Sequence, residues 1–235
     1  MNVKEIMTEL RSKGSESIRN IHLKHGVREP LFGVKVEYLK VIQKKIKKDY
    51  QLAKDLYATG NADAMYLAGL IADDKKMTIA DLNGWVKQAV SNSICDYTVP
   101  WVAAESGHGY ELAKNWIDSP EEHIASAGWA TLSALVSLIE DSDLDLKEMK
   151  GLLKRVVKNI SSSQNRVRYT MNGFVIAVGI YIPSLTDEAI AAAKKIGVVT
   201  VDMGGTACKV RDAAEHILKT KEKGGLGKKK KTVKC

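Results

Sequence analysis

The chain has 235 residues, 45% of them hydrophobic, and a formal net charge of +8, a composition that suits a globular protein of one large or two small domains with a sizeable core. Eight lysines against one glutamate lie between Lys219 and Lys234, so nearly all the excess charge sits in the tail and any basic face on the body must come from local patterning. The N-terminal MNVKEIMTELRSKG is charged throughout and no later stretch is long and apolar enough to span a bilayer, so the expectation is a cytoplasmic protein with no signal peptide and no membrane partner.

Residues 2–12 and 15–25 place Ile6 and Leu10, then Ile18 and Ile21, at helical spacing on either side of Gly14, predicting two short helices. Over 34–49, Val36, Leu39, Ile42 and Ile46 share one face while Lys40, Lys44, Lys47 and Lys48 share another, a stripe that reads either as a solvated face or as one that meets phosphates. Further helices are predicted at 50–59, 61–73, 79–90, 96–106 and 108–117, with Thr78 and Asp81 as a capping box for the third of them. Ser119-Pro120-Glu121-Glu122 has the pattern of an N-cap serine, a first-turn proline and a glutamate at the third position, and opens a long helix to about residue 139. Along that helix Trp129, Leu132, Val136 and Ile139 form a core stripe. Ser126, Ala130, Ser133 and Ser137 form a second stripe of small residues, suited to close approach by another helix or a ligand backbone. Residues 145–160 and 164–182 are again helical, Pro183 and Thr186 open an alanine-rich helix ending at Gly197, and a last helix covers 210–219.

Residues 197–210, GVVTVDMGGTACKV, break the helical pattern. Alternation on both sides of Gly204-Gly205 predicts a β-hairpin with a two-residue turn, since glycine supplies positive φ at both central positions. In that register Val199, Val201 and Met203 face Val210, Cys208 and Thr206 on an apolar surface, and Thr200, Asp202, Ala207 and Lys209 form the polar one. The stretch KEKGGLGKKKKTVKC has little apolar content to bury, so 220–235 is expected to be a disordered lysine-rich tail following a helical domain over 1–219. About a dozen helices with short connections and no βαβ alternation predict an all-α fold, an α-solenoid of antiparallel helix pairs with one inserted hairpin; a non-solenoid all-α domain is the alternative.

Catalytic signatures are sparse. Cys95, Cys208 and Cys235 are odd in number and share no C-x-x-C spacing, which argues against a disulfide framework and a zinc knuckle, and Cys235 as the last residue excludes a four-residue prenylation box. GGLGKKKK lacks the spacing and the Ser/Thr of a phosphate-cradling loop. His22 and His25 have no recognisable third ligand, so neither a metal nor a cofactor is expected. Asp96 is the carboxylate of interest, although on its own it also suits the N-cap of the helix that Pro100 opens.

CDYTVP at 95–100, the segment FGVK at 32–35, the helix RVRYTMNGFVIAVG at 166–179 and KVRDAAEHIL near the end resemble the DNA alkylation repair glycosylases built from HEAT-like helix pairs, the AlkD superfamily, over most of residues 30–219. The resemblance implies a concave DNA-binding face and matches Asp96 to the catalytic aspartate of a reaction that releases cationic N-alkylated bases. The tryptophan that family places four residues earlier is Asn92 here, the arginine position falls near Ser126, and the second tryptophan falls near Phe174, which keeps an aromatic ring but also lies on the apolar stripe Val167, Met171, Phe174 and Val178. VTVDMGGTACKV is similar to the inserted hairpin of the AlkF/AlkG branch, which lacks the catalytic set and is associated with branched DNA. The expectation is therefore a monomeric, non-catalytic protein that binds branched or distorted duplex DNA through Lys40, Lys44, Lys47, Arg166, Arg168, Phe174, Lys194, Lys195, Thr200, Asp202, Lys209, Arg211 and the tail residues Lys228, Lys229, Lys230 and Lys231. The alternatives are an active glycosylase with Asp96 as its carboxylate and a helical protein-interaction scaffold.

Overall fold

The computed structural model describes residues 1–89 and 91–234; Val90, at the end of the helix expected over 79–90, and Cys235 lie outside the described residues. Thirteen α-helices follow in order among the described residues: α1 (Val3–Lys13), α2 (Glu16–Lys24), α3 (Val36–Ile46), α4 (Tyr50–Tyr57), α5 (Ala62–Ile71), α6 (Ile79–Gln88), α7 (Val99–Ser106), α8 (Gly109–Trp116), α9 (Glu122–Leu138), α10 (Leu146–Asn159), α11 (Asn165–Tyr181), α12 (Thr186–Ile196) and α13 (Ala213–Glu222). A single π-helical turn, Ile94–Thr98, leads into α7. No single helix among the described residues is long and apolar enough to cross a membrane.

Local sequence explains most of the helix starts. Asn2 and Glu5 form a capping box on α1, and Thr78 and Asp81 form the expected one on α6. Asp49, Asp145 and Asp212 each accept the backbone N–H three residues on, satisfying donors a helix leaves open at its N-terminus. α9 begins later than its serine-proline signal suggested: Glu121 is the N-cap, and Ser119 Oγ accepts the Glu121 N–H at 3.2 Å ahead of the helix.

The buried side chains form two large cores that share α8 and α9. In the first, drawn from α1 and α3 to α9, Tyr57 stacks on Trp85 with ring centroids 4.0 Å apart. The second, from α8 to α13, is centred on Trp129 and Phe174, whose centroids are 5.3 Å apart. Phe174 is fully buried. It is a core residue and not the DNA-facing aromatic the sequence allowed, because its apolar stripe points at α9, where burial of a ring gains about 1.5–3 kcal/mol.

The inner helices α5, α7, α9 and α11 pack in that order, and α9 and α11 run parallel. At one edge, the Arg166 N–H in the first turn of α11 donates to Glu122 Oε1 in the first turn of α9 at 2.7 Å. At the other, the chain after α13 binds their last turns: Gly227 N donates to Ile180 O and Lys230 N to Ser137 O, both at 2.8 Å. The same segment reaches α7, where Glu105 accepts Thr232 Oγ1 at 2.6 Å and Val233 N at 2.9 Å, and α5, where Lys234 Nζ donates to Ala72 O at 3.3 Å.

The lysine-rich tail is therefore not disordered but laces the C-terminal ends of α5, α7, α9 and α11 together. Helix ends present unpaired carbonyl oxygens and the negative pole of the dipole, and a row of four along one edge makes a track that lysines complement. Lys229 Nζ bonds Val136 O at 2.9 Å and pairs with Asp141 at 2.8 Å. Lys234 pairs with the buried Asp74 at 2.6 Å, and burial, against that carboxylate, pulls its ammonium below the ordinary lysine range.

The β-hairpin does not form either, since no strand occurs among the described residues. Gly204 (φ 68°) and Gly205 (φ 71°) do make the expected turn with positive φ. Thr206 N reaches Met203 O at 3.4 Å across the turn, but no ladder follows it among the described residues, and α11 holds the loop: Asp202 N donates to Asn165 Oδ1 at 2.7 Å and Asn165 Nδ2 to Asp202 O at 2.9 Å. In the expected register Asp202 faces Ala207 at a position whose backbone groups point away from the partner strand, so Asn165 holds the segment from its outer side, and the stretch between α12 and α13 is an extended loop with a tight tip.

Candidate nucleic-acid interface

The N-terminal edge of the inner helices collects the chemistry. In the π turn the Val99 N–H donates to Ile94 O, five residues back, and Asp96 turns into the protein, where it is 5% exposed. Its Oδ2 accepts Arg166 Nε at 3.0 Å, and Arg166 Nη2 closes a two-point pair with the same oxygen. Oδ1 accepts Ser126 Oγ at 2.5 Å and lies 3.3 Å from Cys95 Sγ. Burial pushes the Asp96 carboxyl up, while the Arg166 guanidinium and the hydroxyl and thiol donors pull it back. Arg166 is itself desolvated, yet the neighbouring carboxylate holds it above its ordinary range. Burial with Asp96 alongside drives the Cys95 thiol well up, so it stays protonated.

Asp96 is thus not a helix cap: Thr98 occupies the N-cap of α7 and makes no side-chain cap bond there. The small-residue stripe of α9 explains the close approach that makes the pair, with Ser126 Oγ 3.3 Å from both Arg166 O and Thr170 Oγ1 of α11.

Arg166 also walls a cleft of about 320 Å³ between the end of α2, Asn92 and the loop tip, bordered by Lys24, His25, Asp202 and Met203. Asn92 Nδ2 donates to His25 O at 3.2 Å, and Arg166 Nη1 lies 3.8 Å from Met203 Sδ. The loop tip closes the cleft by direct contact with α2: a Cβ at Gly204 would fall 2.2 Å from Lys24 O, so the approach needs glycine for space as well as for its φ. A segment near the C-terminus therefore reaches the N-terminal helices across the edge that holds Asp96.

The other residues singled out from sequence are dispersed. Arg166 is consumed by Asp96 and is not the phosphate contact expected of it. Arg168 is half-buried, with Nη2 3.4 Å from Asn165 Oδ1. Lys44 on α3 and Lys47 at its C-cap are exposed and Lys40 is half-buried; α3 packs chiefly on α5. Lys194 and Lys195 are exposed in the last turn of α12. Thr200, Asp202 and Lys209 are exposed along the loop, and Asp202 Oδ1 accepts the Gly204 N–H at 2.9 Å, which shapes the tip. Arg211 is exposed and lies 3.4 Å from His216 Nε2; burial, then the Arg211 and Lys219 charges, hold that imidazole below its ordinary range. In the tail Lys228 and Lys231 are exposed, Lys230 lies over the Tyr181 ring at 5.6 Å, and Lys229 is tied to α9 and Asp141 as above. Sequence reasoning passed over Tyr97, Tyr169 and Asn165. The signal was there for the first two, each an aromatic directly after a charged residue already of interest, Asp96 and Arg168.

A parallel array of inner helices backed by outer ones, with a carboxylate–guanidinium pair at its N-terminal edge, defines a stacked helical-repeat protein. The model of the DNA alkylation repair enzyme family matches residues 6–217, and the chain belongs to that family. Two uncharacterized proteins, Lin0241 of Listeria innocua and Lmo0209 of Listeria monocytogenes, are 32% and 31% identical over 224 residues, 93% of this chain and 97% of each relative. A solved structure described as "a new family of proteins related to the HEAT-like repeat DNA glycosylases with affinity for branched DNA structures" matches with a TM-score of 0.92 and 36% identity, covering 100% of both chains. The fold is accordingly that of the HEAT-like repeat proteins.

Proposed function

We propose that this protein is a non-catalytic DNA-binding member of its family, of the AlkF/AlkG kind, which recognises branched or distorted duplex DNA with its inner helical face and the 197–212 loop. The observation that carries this reading is the state of Asp96. A glycosylase carboxylate must face the sugar of the damaged nucleotide, whereas both oxygens of Asp96 are engaged by Arg166, Ser126 and Cys95 inside the protein. Freeing it would break a buried ion pair, at about 3–5 kcal/mol. Asn92 and Ser126 also stand where the resembled glycosylases carry groups that position the nucleotide, so most of the orientation that speeds such a reaction is missing.

The affinity for branched structures described for the structural neighbour supports the choice of ligand. So does the loop, whose tip lines the Arg166 cleft and whose Thr200 and Lys209 are exposed. Lys44, Lys47, Lys194, Lys195 and Arg211 then supply phosphate contacts that hold any duplex without reading its sequence.

Two assays test the reading. Gel shifts with linear duplex, single strand and a four-way junction should show the junction bound most tightly, and alkylated DNA should yield no 3-methyladenine or 7-methylguanine. Release of either base that disappears in Asp96→Asn would make the protein a glycosylase and overturn the proposal.

A further inference from the structure

Tyr97 is a large aromatic left 43% exposed immediately after one of the most buried carboxylates in the chain. The two are successive residues of the π turn, and side chains one residue apart on a helical turn diverge widely, so Asp96 is buried among the helices while Tyr97 is left exposed. A π turn has poorer hydrogen-bond geometry than the α-helix it interrupts and is found mostly where a side chain must be aimed. It is accommodated here by Gly69 of α5, where a Cβ would lie 2.4 Å from Thr98 Cγ2.

The exposed ring is also anchored. Its hydroxyl meets that of Tyr169, from α11, at 3.1 Å, and its ring lies 6.2 Å from Trp101, which in turn meets Tyr66 edge-on at 5.4 Å. The Arg166 guanidinium covers the Tyr169 ring at 4.3 Å. Four aromatic rings therefore run from α5 past α7 to α11 along the edge that carries the Arg166 cleft, and burial accounts for Trp101 but not for Tyr97. Arg168, next to Tyr169, is half-buried, with a buried Nε that has no hydrogen-bond partner among the described residues and only a long 3.4 Å contact from Nη2 to Asn165, so its guanidinium is weakly held. Burial, then the Tyr169 hydroxyl, keeps the Tyr97 phenol above its ordinary range, so it brings no negative charge to a phosphate.

A rigid, exposed aromatic beside arginines is the arrangement that stacks unpaired bases, since every base has a π face and little side-chain freedom is lost. Paired duplex hides those faces in its own stack, whereas a branch point exposes them. We propose that Tyr97 and Tyr169 form a stacking platform for an unpaired nucleobase at a DNA branch point, with Arg168 taking the adjoining phosphate. This rests on the DNA-binding reading above and names the part of the branched DNA that the face takes.

The test uses the full chain and three labelled DNAs: a linear duplex, a fully paired four-way junction, and a three-way junction with one unpaired 2-aminopurine at the branch. The wild type should bind the third most tightly and quench the 2-aminopurine. Tyr97→Ala should lose about tenfold or more on that DNA alone, the scale of one base–aromatic stack, and abolish the quench, while Tyr97→Phe keeps both. Tyr97→Leu fills the space against Trp101 without a π face; it should behave as the alanine variant while melting as the wild type, which separates stacking from folding. Arg168→Gln should weaken all three DNAs and reduce the salt slope by about one contact. If Tyr97→Leu and Tyr169→Leu retain affinity and quenching, the platform is excluded while junction binding stands. If the wild type binds all three DNAs equally, the branched-DNA reading falls and the platform with it.

Discussion

Asp96 and Arg166 lie 70 positions apart in sequence and meet at the start of the inner helices, where neither ion is tolerable alone. Removing one partner leaves an uncompensated buried charge, so Arg166→Met should destabilise the protein by about 3–5 kcal/mol, whereas Asp96→Asn combined with Arg166→Met should recover much of the loss. Urea unfolding of the four proteins in that cycle measures the coupling, and a loss in the double variant equal to the sum of the two single losses would show that the pair is not a unit. Asp81 makes a different argument. Burial would raise its pKa, but Lys54 at 2.7 Å, the Thr78 backbone and hydroxyl at 3.1 and 2.8 Å and the Tyr50 hydroxyl at 2.8 Å bring it from 3.8 down to about 2. A carboxylate whose folded pKa lies below its unfolded one stabilises above pH 3.8 and loses that contribution as pH falls toward about 2. The stability gap between wild type and Asp81→Asn should therefore be wide at neutral pH and narrow across that acid window; a gap constant with pH would show that the ionised carboxylate contributes nothing.

At the scale of elements, the 197–212 loop is held at two points: Asn165 on α11 fixes the backbone of Asp202, and the tip touches Lys24 O at the end of α2. Its apolar side leans on the second core through Val199, but the helical stripes that build both cores lie elsewhere. Replacing residues 200–207 by a shorter turn should leave melting near the parental temperature and lower junction affinity by about 1–3 kcal/mol, with little change for linear duplex. Gly204→Ala is the gentler probe. It places a methyl against Lys24 O and requires positive φ of an alanine, so the tip must leave α2. Loss of the parental junction-to-duplex ratio in that variant would mark the docked tip as the recognition element; an unchanged ratio would assign selectivity to the inner helices.

For the molecule as a whole, the tail decides how the stack is held. The strap from Gly227 to Lys234 touches the last turns of four inner helices, so separate repeats are tied along the edge opposite the Asp96 pair. Ending the chain at residue 222 strips Lys234 from the buried Asp74 and Lys229 from Asp141 and should cost at least about 2 kcal/mol, a melting shift of several degrees for a chain of this size. Among the described residues removed, Lys223, Lys228, Lys230 and Lys231 are the exposed lysines, so the slope of log K against log salt on duplex DNA should fall by no more than about 4. A truncated protein with unchanged melting and a much flatter slope would instead describe a free cationic arm.

How much of this was legible in sequence follows from the range of the interactions. The apolar stripes, the Thr78–Asp81 box, the turn at Gly204-Gly205 and the family likeness depend on residues a few positions apart or on strings kept intact, and these were readable from the chain alone. The alternation around the two glycines predicted a hairpin that does not form, because alternation does not say what the backbone will meet, and here Asn165 of α11 holds Asp202 in an extended loop. The lysine tail has the composition of a disordered arm, and composition cannot foresee that four helix ends will line up as its acceptor. The burial of Asp96 against Arg166 and the exposure of Tyr97 beside it arise from helices meeting across the stack. The sequence by itself determined helices, cores and kinship, because those rest on local periodicity; tertiary structure alone decided which charges are spent inside the protein and which aromatic and cationic groups remain to meet a ligand.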